Sequence, residues 1–297
     1  SEYGFYQHPP SKSKTDYARD TLQVDSYDRN AAPWSDIPDV EFDRMLADPY
    51  CGGEFVWTGI DYLGEPTPYY SSRSSYTGII DLAGFPKDRY WLYRAHWRPD
   101  VPSAHLLPHW TWPGREGEVT PVHVFTSGDE AELFVNGASQ GRRRKEPGQH
   151  RLRWDDVIYE PGELQVRTYR DGRPWAEATV RTAGAADGIE LEVDRDRIEA
   201  DGRDLAFVTA RVVDAAGVEV PTADDVLQFE ADGPGEIVAT DNGDPTDMTA
   251  FPSRSRRAFS GKALAIVRGR AGVAGEVRVV VSSDGLRGAE GLIRSGP

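Results

Sequence analysis

Trp57, Asp61 and Glu65 sit close together on the run Gly52-Gly53-Glu54-Phe55-Val56-Trp57-Thr58-Gly59-Ile60-Asp61-Tyr62-Leu63-Gly64-Glu65-Pro66-Thr67-Pro68. A β-branched and aromatic stretch passes here into a loop of glycines and prolines that carries two acids. Such a stretch reads as a buried strand delivering polar groups and flat rings to a cleft. An indole offers a broad apolar face, and carboxylates accept hydrogen bonds from hydroxyl groups. The plainer alternative makes Trp57 a core residue of a buried strand. In that alternative Asp61 and Glu65 only order the turn beside Gly64 and Pro66. Tyr62, Tyr69 and Tyr70 are further candidates for the same cleft. A second run follows, Ser74-Ser75-Tyr76-Thr77-Gly78-Ile79-Ile80-Asp81-Leu82-Ala83-Gly84-Phe85-Pro86-Lys87-Asp88-Arg89-Tyr90.

In this order, and joined by a short loop, the two runs resemble the last barrel strand of glycoside hydrolase family 2, the β-galactosidase-like enzymes. The resemblance implies that Trp57 is the floor of the subsite that holds the cleaved sugar, because C–H-rich sugar faces stack on indole. It puts Asp61 and Glu65 beside that subsite, with sugar contact and loop ordering both open. Retaining glycosidases use two carboxylates about 5 Å apart, one as acid/base and one as nucleophile. The resemblance places the acid/base upstream of this chain. Ser1-Glu2 superficially matches the pair that carries the nucleophile, but Glu2-Tyr3 fits better a segment that follows it, so Glu2 is only a weak candidate and no catalytic residue is assigned. In the β-glucuronidases of the family, the stretch at Ser75-Tyr76-Thr77 supplies Asn-x-Lys to hold the sugar carboxylate. Ser75 and Thr77 carry no cation, which favours a neutral sugar such as galactose, unless Arg73 substitutes.

The elements that must position these residues differ along the chain. Asp39 to Asp48 and Lys87 to Trp97 suit short helices, the second closed by Arg98-Pro99. With the run around Trp57 they make a strand–loop–helix unit. A (β/α)₈ barrel takes about 250 residues, so the segment before residue 99 cannot close one; either it is no barrel, or, as the resemblance implies, it is the end of one with at most its last two units. From about Val101 short alternating runs take over, at 119–125, 132–135, 151–154, 163–169 and 176–181, with Asn136-Gly137 as a two-residue hairpin signal. Trp110, Trp112 and Trp154 suit core or interface positions. After a linker at Ala183 to Gly188 come further runs at 189–193, 207–213, 226–230, 236–239, 263–268 and 276–281. Leu106-Leu107-Pro108-His109-Trp110, Tyr159-Glu160-Pro161-Gly162 and Asp241-Asn242-Gly243-Asp244-Pro245 resemble the accessory β domains of the same family. The expected fold is mainly β, with two immunoglobulin-like β-sandwiches (99–184 and 185–297) preceded by the last part of a TIM barrel (1–98).

Composition narrows the function classes. Of 297 residues 38% are hydrophobic, enough for two or three cores, and the net charge of −15 argues against nucleic acid. Arg142-Arg143-Arg144-Lys145 reads as a solvated hairpin end. No apolar run approaches the ~20 residues of a bilayer span. Cys51 excludes an intrachain disulfide and is expected to be small and buried. His105, His109, His123 and His150 lack metal-ligand spacing, and the Asp241–Asp247 loop lacks the frame of a calcium loop. No metal or cofactor is expected. Ser1 is not an initiator methionine, so a fragment is expected, with any secretion signal upstream and the compartment undetermined. The expected partners are a β-galactoside or related oligosaccharide and the missing N-terminal part of the same enzyme, and a homo-oligomer stays open. The rival reading is a non-catalytic carbohydrate-binding or adhesive sandwich.

Overall fold

The computed structural model describes residues 14, 15, 17–25 and 27–296; Glu2 lies outside them. The chain divides into two units, Ser1–Thr182 and Ala183–Pro297. It is mainly β.

Among the described residues of the first unit two helices precede seven strands. Helix α1 (Pro38–Ala47) starts with proline at its first turn, where the missing N–H costs nothing, and carries Asp39 and Glu41 there and Arg44 in its last turn. Helix α2 (Asp88–Trp97) has Asp88 in its first turn and Arg94 and His96 in its last. Strands β1 (Ala104–Leu107), β2 (Val122–Thr126) and β5 (Leu152–Trp154) form one sheet in the order β1-β2-β5. Strands β3 (Glu130–Val135), β4 (Ala138–Arg144), β6 (Glu163–Arg170) and β7 (Arg173–Arg181) form a second, ordered β4-β3-β6-β7. Asn136 and Gly137, both at positive φ, make the β3–β4 turn that their sequence signals.

Every residue of β2 is buried, because both of its faces are covered. Val122 and Val124 pack with Trp110, Trp154, Leu133 and Val166 in the core between the sheets. Phe125 points the other way, into a smaller core with Phe42 of α1 and Leu92 and Tyr93 of α2. His123 shares that outer face, its ring 4.8 Å from the ring of Tyr27. The helical segment is thus a third layer laid on the outside of the sandwich. Arg151 fastens it: Nε donates to Asp39 Oδ1 at 2.8 Å, a second nitrogen donates to Asp39 Oδ2, and Nη1 donates to the Tyr27 carbonyl at 3.0 Å.

The second unit is a two-sheet sandwich. One sheet runs β12 (Gly235–Asp241), β14 (Lys262–Gly269), β10 (Leu205–Asp214), β8 (Ala186–Val193). The other runs β13 (Ser255–Arg257), β11 (Val226–Asp232), β15 (Gly275–Ser282), β16 (Ala289–Gly296), β9 (Arg197–Glu199). Alternate residues of β10, β14 and β15, among them Val208, Val212, Val267 and Val279, meet Leu227 and Phe229 of β11 in one core. Strand β8 begins inside the stretch expected to be a linker. Asp214 explains why: Oδ2 accepts the Gly184 N–H at 2.7 Å while Oδ1 accepts those of Ala216 and Val218, and these bonds hold its carboxyl below the usual range. The loop after β12 is built round Arg256, whose side chain is fully buried. It donates to Asp247 Oδ2 at 2.8 Å and to the carbonyls of Thr240, Thr249 and Ala250.

Three expectations need correction. Arg142 to Arg144 belong to edge strand β4 rather than to a hairpin end, since Arg142 and Arg144 both pair with Glu130 on β3. Cys51 is exposed, because the segment around it lies on the surface. The run around Phe55 and Trp57 makes no strand, and both side chains face outward.

Burial alone would raise the Asp39 carboxyl, but the Arg151 charge and hydrogen bonds outweigh it and hold the group below its ordinary value. A carboxylate depressed in this way contributes stability that is complete above its unfolded value of roughly 4 and is lost as pH falls through the folded one. Asp39→Asn is expected to cost about 3 kcal/mol and to flatten the acid limb of stability below pH ~4. Urea denaturation against pH, with hydrogen exchange of the α1 amides, measures both; an unchanged acid limb would remove the fastening role.

Candidate functional site

Residues 58–61 and 77–80 lie side by side in parallel. Thr58 N–H donates to the Thr77 carbonyl at 3.3 Å, Ile79 N–H to Thr58 at 3.1 Å, Ile80 N–H to Gly59 at 3.1 Å and Asp61 N–H to Ile80 at 3.0 Å. Gly78 permits the approach: a Cβ there would sit 2.2 Å from the Asp61 backbone nitrogen.

Beneath this ladder Asp61 and Lys87 form a buried ion pair, 2.5 Å apart, with side chains 0% and 3% exposed. Asp61 Oδ1 also accepts the Gly78 N–H at 2.7 Å, and Lys87 Nζ reaches the Tyr76 carbonyl at 3.3 Å. Burial pushes the Asp61 carboxyl above its ordinary value, and the Lys87 ammonium pulls it part of the way back. Ser75 is equally buried: its Oγ accepts the Tyr62 N–H at 3.2 Å, and its own N–H donates to the Tyr62 carbonyl at 2.9 Å. Asp61 and Ser75, named with the sugar-contacting candidates, therefore lie under the surface, where they tie the loop to the ladder.

Trp57 and Glu65 lie outside. Trp57 is 73% exposed, and Phe55 is fully so. The indole Nε1–H donates to the Tyr62 hydroxyl at 3.1 Å, which in turn donates to Glu65 Oε2 at 2.7 Å. The bond to Glu65 holds the Tyr62 hydroxyl above its ordinary value. The rings of Trp57 and Tyr62 meet edge to face, 5.8 Å apart. Trp57 stands at the edge of a cleft of about 350 Å³ that Thr77, Phe55, Tyr93 and Asp28 also line. The structure thus joins Trp57 with Glu65 through Tyr62 and with Thr77 through the cleft. Chemically this is a flat apolar face with a hydrogen-bonded carboxylate beside it. No group of three or more His, Cys, Asp or Glu among the described residues could hold a metal ion.

Residues 189–291 match glycoside hydrolase family 2 C-terminal domain 5, and residues 117–176 match a domain of unknown function (DUF4982). The β-galactosidase BoGH2A of Bacteroides ovatus is 40% identical over 295 residues, which is 96% of this chain and 34% of that protein. The chain belongs to glycoside hydrolase family 2. It corresponds to a C-terminal portion of such proteins. A solved β-glycosidase from Bacteroides vulgatus superposes with a TM-score of 0.86 at 31% identity, over 95% of this chain and 35% of that one. A putative β-glucuronidase of Formosa agariphila is 31% identical over 75% of this chain and 22% of its own length. The chain thus spans about a third or less of the length of these relatives.

Lys87 is the residue that sequence reasoning passed over. It lies in the quoted family run, and a lone lysine flanked by Phe85-Pro86 in a chain with five lysines was the available signal. Removing it strands a buried carboxylate. Lys87→Met is expected to destabilise the first unit by about 3–5 kcal/mol. The double variant with Asp61→Asn should recover much of that loss. Thermal denaturation of the four proteins, with the Trp57 indole N–H resonance as local probe, tests the coupling; additive losses would show that the two side chains act independently.

Proposed function

We propose that the whole protein is a retaining exo-glycosidase acting on β-linked neutral sugars, a β-galactosidase, and that this chain supplies one wall of its sugar site. The observation that carries the reading is the outward-facing Trp57, fixed by Tyr62 and Glu65 at the edge of the cleft. A large indole left in water is costly unless something stacks on it, and the C–H face of a pyranose suits it.

In this reading residues 1–98 complete a catalytic barrel, followed along the chain by the two sandwiches, with domain limits at 98/99 and 184/185. The acid/base and nucleophilic carboxylates come from parts of the protein outside this chain. Trp57 is the platform of the cleaved sugar. Glu65 accepts hydrogen bonds from sugar hydroxyls, and Thr77 contributes its hydroxyl where it lines the cleft. Asp61 and Ser75 act from below by fixing the loop. The oligosaccharide is the partner, and the exposed surface of Phe55 and Ile60 is covered by the rest of the barrel.

The preference for a neutral sugar rests on Thr77, which lines the cleft and offers no charge to a uronic acid carboxylate, while Ser75 lies buried below it. The names of the relatives include both β-galactosidase and β-glucuronidase, so the sugar is the decisive measurement. In the full-length enzyme, kcat/KM for a chromogenic β-galactoside should exceed that for the matching β-glucuronide by at least roughly 100-fold, or about 2.7 kcal/mol. The reverse order would assign the anionic sugar. Trp57→Ala should lower kcat/KM for the galactoside roughly 10- to 100-fold. The isolated 297-residue chain should not turn over either substrate; turnover abolished by Glu2→Gln would place the nucleophile at Glu2 and overturn the division of labour.

A further inference from the structure

Away from Trp57, a second pocket of about 180 Å³ lies between the C-terminal turn of α2 and the end of β4. Its polar lining is mostly nitrogen: Lys145, His96 and His150, with Ser127 and Gln149. Lys145 Nζ donates to the Thr126 carbonyl and makes no ion pair among the described residues. Burial lowers the amine to about 8, opposed by the charge of Asp129. Asp129 itself lies 3.6 Å from Arg144.

His96 is held flat on Phe42, with ring centroids 3.8 Å apart, and meets the edge of His150 at 5.3 Å. Its ring nitrogens make no hydrogen bond among the described residues. Burial, then the charges of His150 and Lys145, hold His96 below its ordinary value. His150 Nε2 lies 2.9 Å from Asp43 Oδ1 on α1. The Ser127 hydroxyl is committed, since it donates to the Val101 carbonyl and accepts from Trp175 and Ser103. The groups facing the pocket are therefore three basic side chains from α2, the residue after β4 and the loop before β5. Two carboxylates stand near them, Asp43 at His150 and Asp129 at Arg144. Like groups brought together inside a fold repel unless an opposite charge joins them.

We propose that this pocket binds a small oxyanion through Lys145, His96 and His150. The ammonium supplies the charge and the imidazoles supply directed N–H groups, which together suit a compact ligand with several acceptor oxygens. Free phosphate and the carboxylate of a sugar acid share that chemistry. Neither depends on the glycosidase reading, because the pocket is built from other residues than the cleft beside Trp57.

The test titrates the 297-residue chain with inorganic phosphate, and separately with glucuronate, at constant ionic strength set by chloride. Histidine ring resonances are the readout. A saturable shift of His96 and His150 with phosphate is expected, with the His96 pKa rising when the site is filled, since a bound anion favours the imidazolium. Saturation by glucuronate instead identifies a sugar acid as the source of the oxyanion. Lys145→Gln and His96→Gln should each weaken binding by about tenfold or more. The second variant keeps the test decisive if the first fails to fold. Shifts that do not saturate, or that both folded variants leave unchanged, overturn the proposal.

Discussion

The Asp61–Lys87 pair is the constraint on which the candidate site depends. Neither charge reaches water, and either one alone would be costly to bury. Together they occupy the space under a ladder of only two short extended segments, which is too small to hold itself. The carboxylate takes the Gly78 N–H and the ammonium takes the Tyr76 carbonyl, so one interaction fixes both arms of the ladder. Helix α2 starts at the residue after Lys87, which ties the ladder to the helical layer as well. Trp57 lies just before the first of these bonds, and Glu65 lies in the loop that Ser75 closes. An exposed indole and a surface carboxylate owe their placement to groups that never meet solvent.

That helical layer is held by the sandwich behind it. Sheet β1-β2-β5 has two apolar faces, one toward its partner sheet and one toward α1 and α2, which is why β2 is buried at every position. The proposed domain limit at 98/99 lies between α2 and β1, inside the first unit. Arg151 crosses the same seam from the strand side, and its bonds to Asp39 and to Tyr27 give the apolar contact an orientation.

Both helices, and most strands with alternating apolar residues, were legible in the sequence. β1, β4, β9, β13 and β16 were not, and the first four lie at sheet edges. An edge strand needs a partner on one side only, and charged residues suit it, as in the arginines of β4. β16 lies inside its sheet, but Gly291 and Ser295 interrupt its apolar pattern. At the candidate site the sequence motifs mark a loop, but not which of its residues face out. Asp61 and Glu65 have similar sequence surroundings, and partners distant in sequence, Lys87 and the Gly78 N–H, draw Asp61 inward. The exposed stretch at Phe55 reads as a buried strand because its composition is suited to neighbours.

The buried Arg256 of the second sandwich has a consequence for the order of events during synthesis. The loop it organises, residues 241–250, leaves the ribosome before Arg256 does. Until that guanidinium arrives, the carbonyls of Thr240, Thr249 and Ala250 lack their donor, and Asp247 lacks its cation. Arg256 then closes contacts over only 6 to 16 residues, a short loop that forms quickly. Strand β13, which carries it, pairs with β11 from the earlier part of the chain. One side chain thus locks a polar loop as its strand meets β11, while the other partners of β11 and β12, strands β15 and β14, are still to be made.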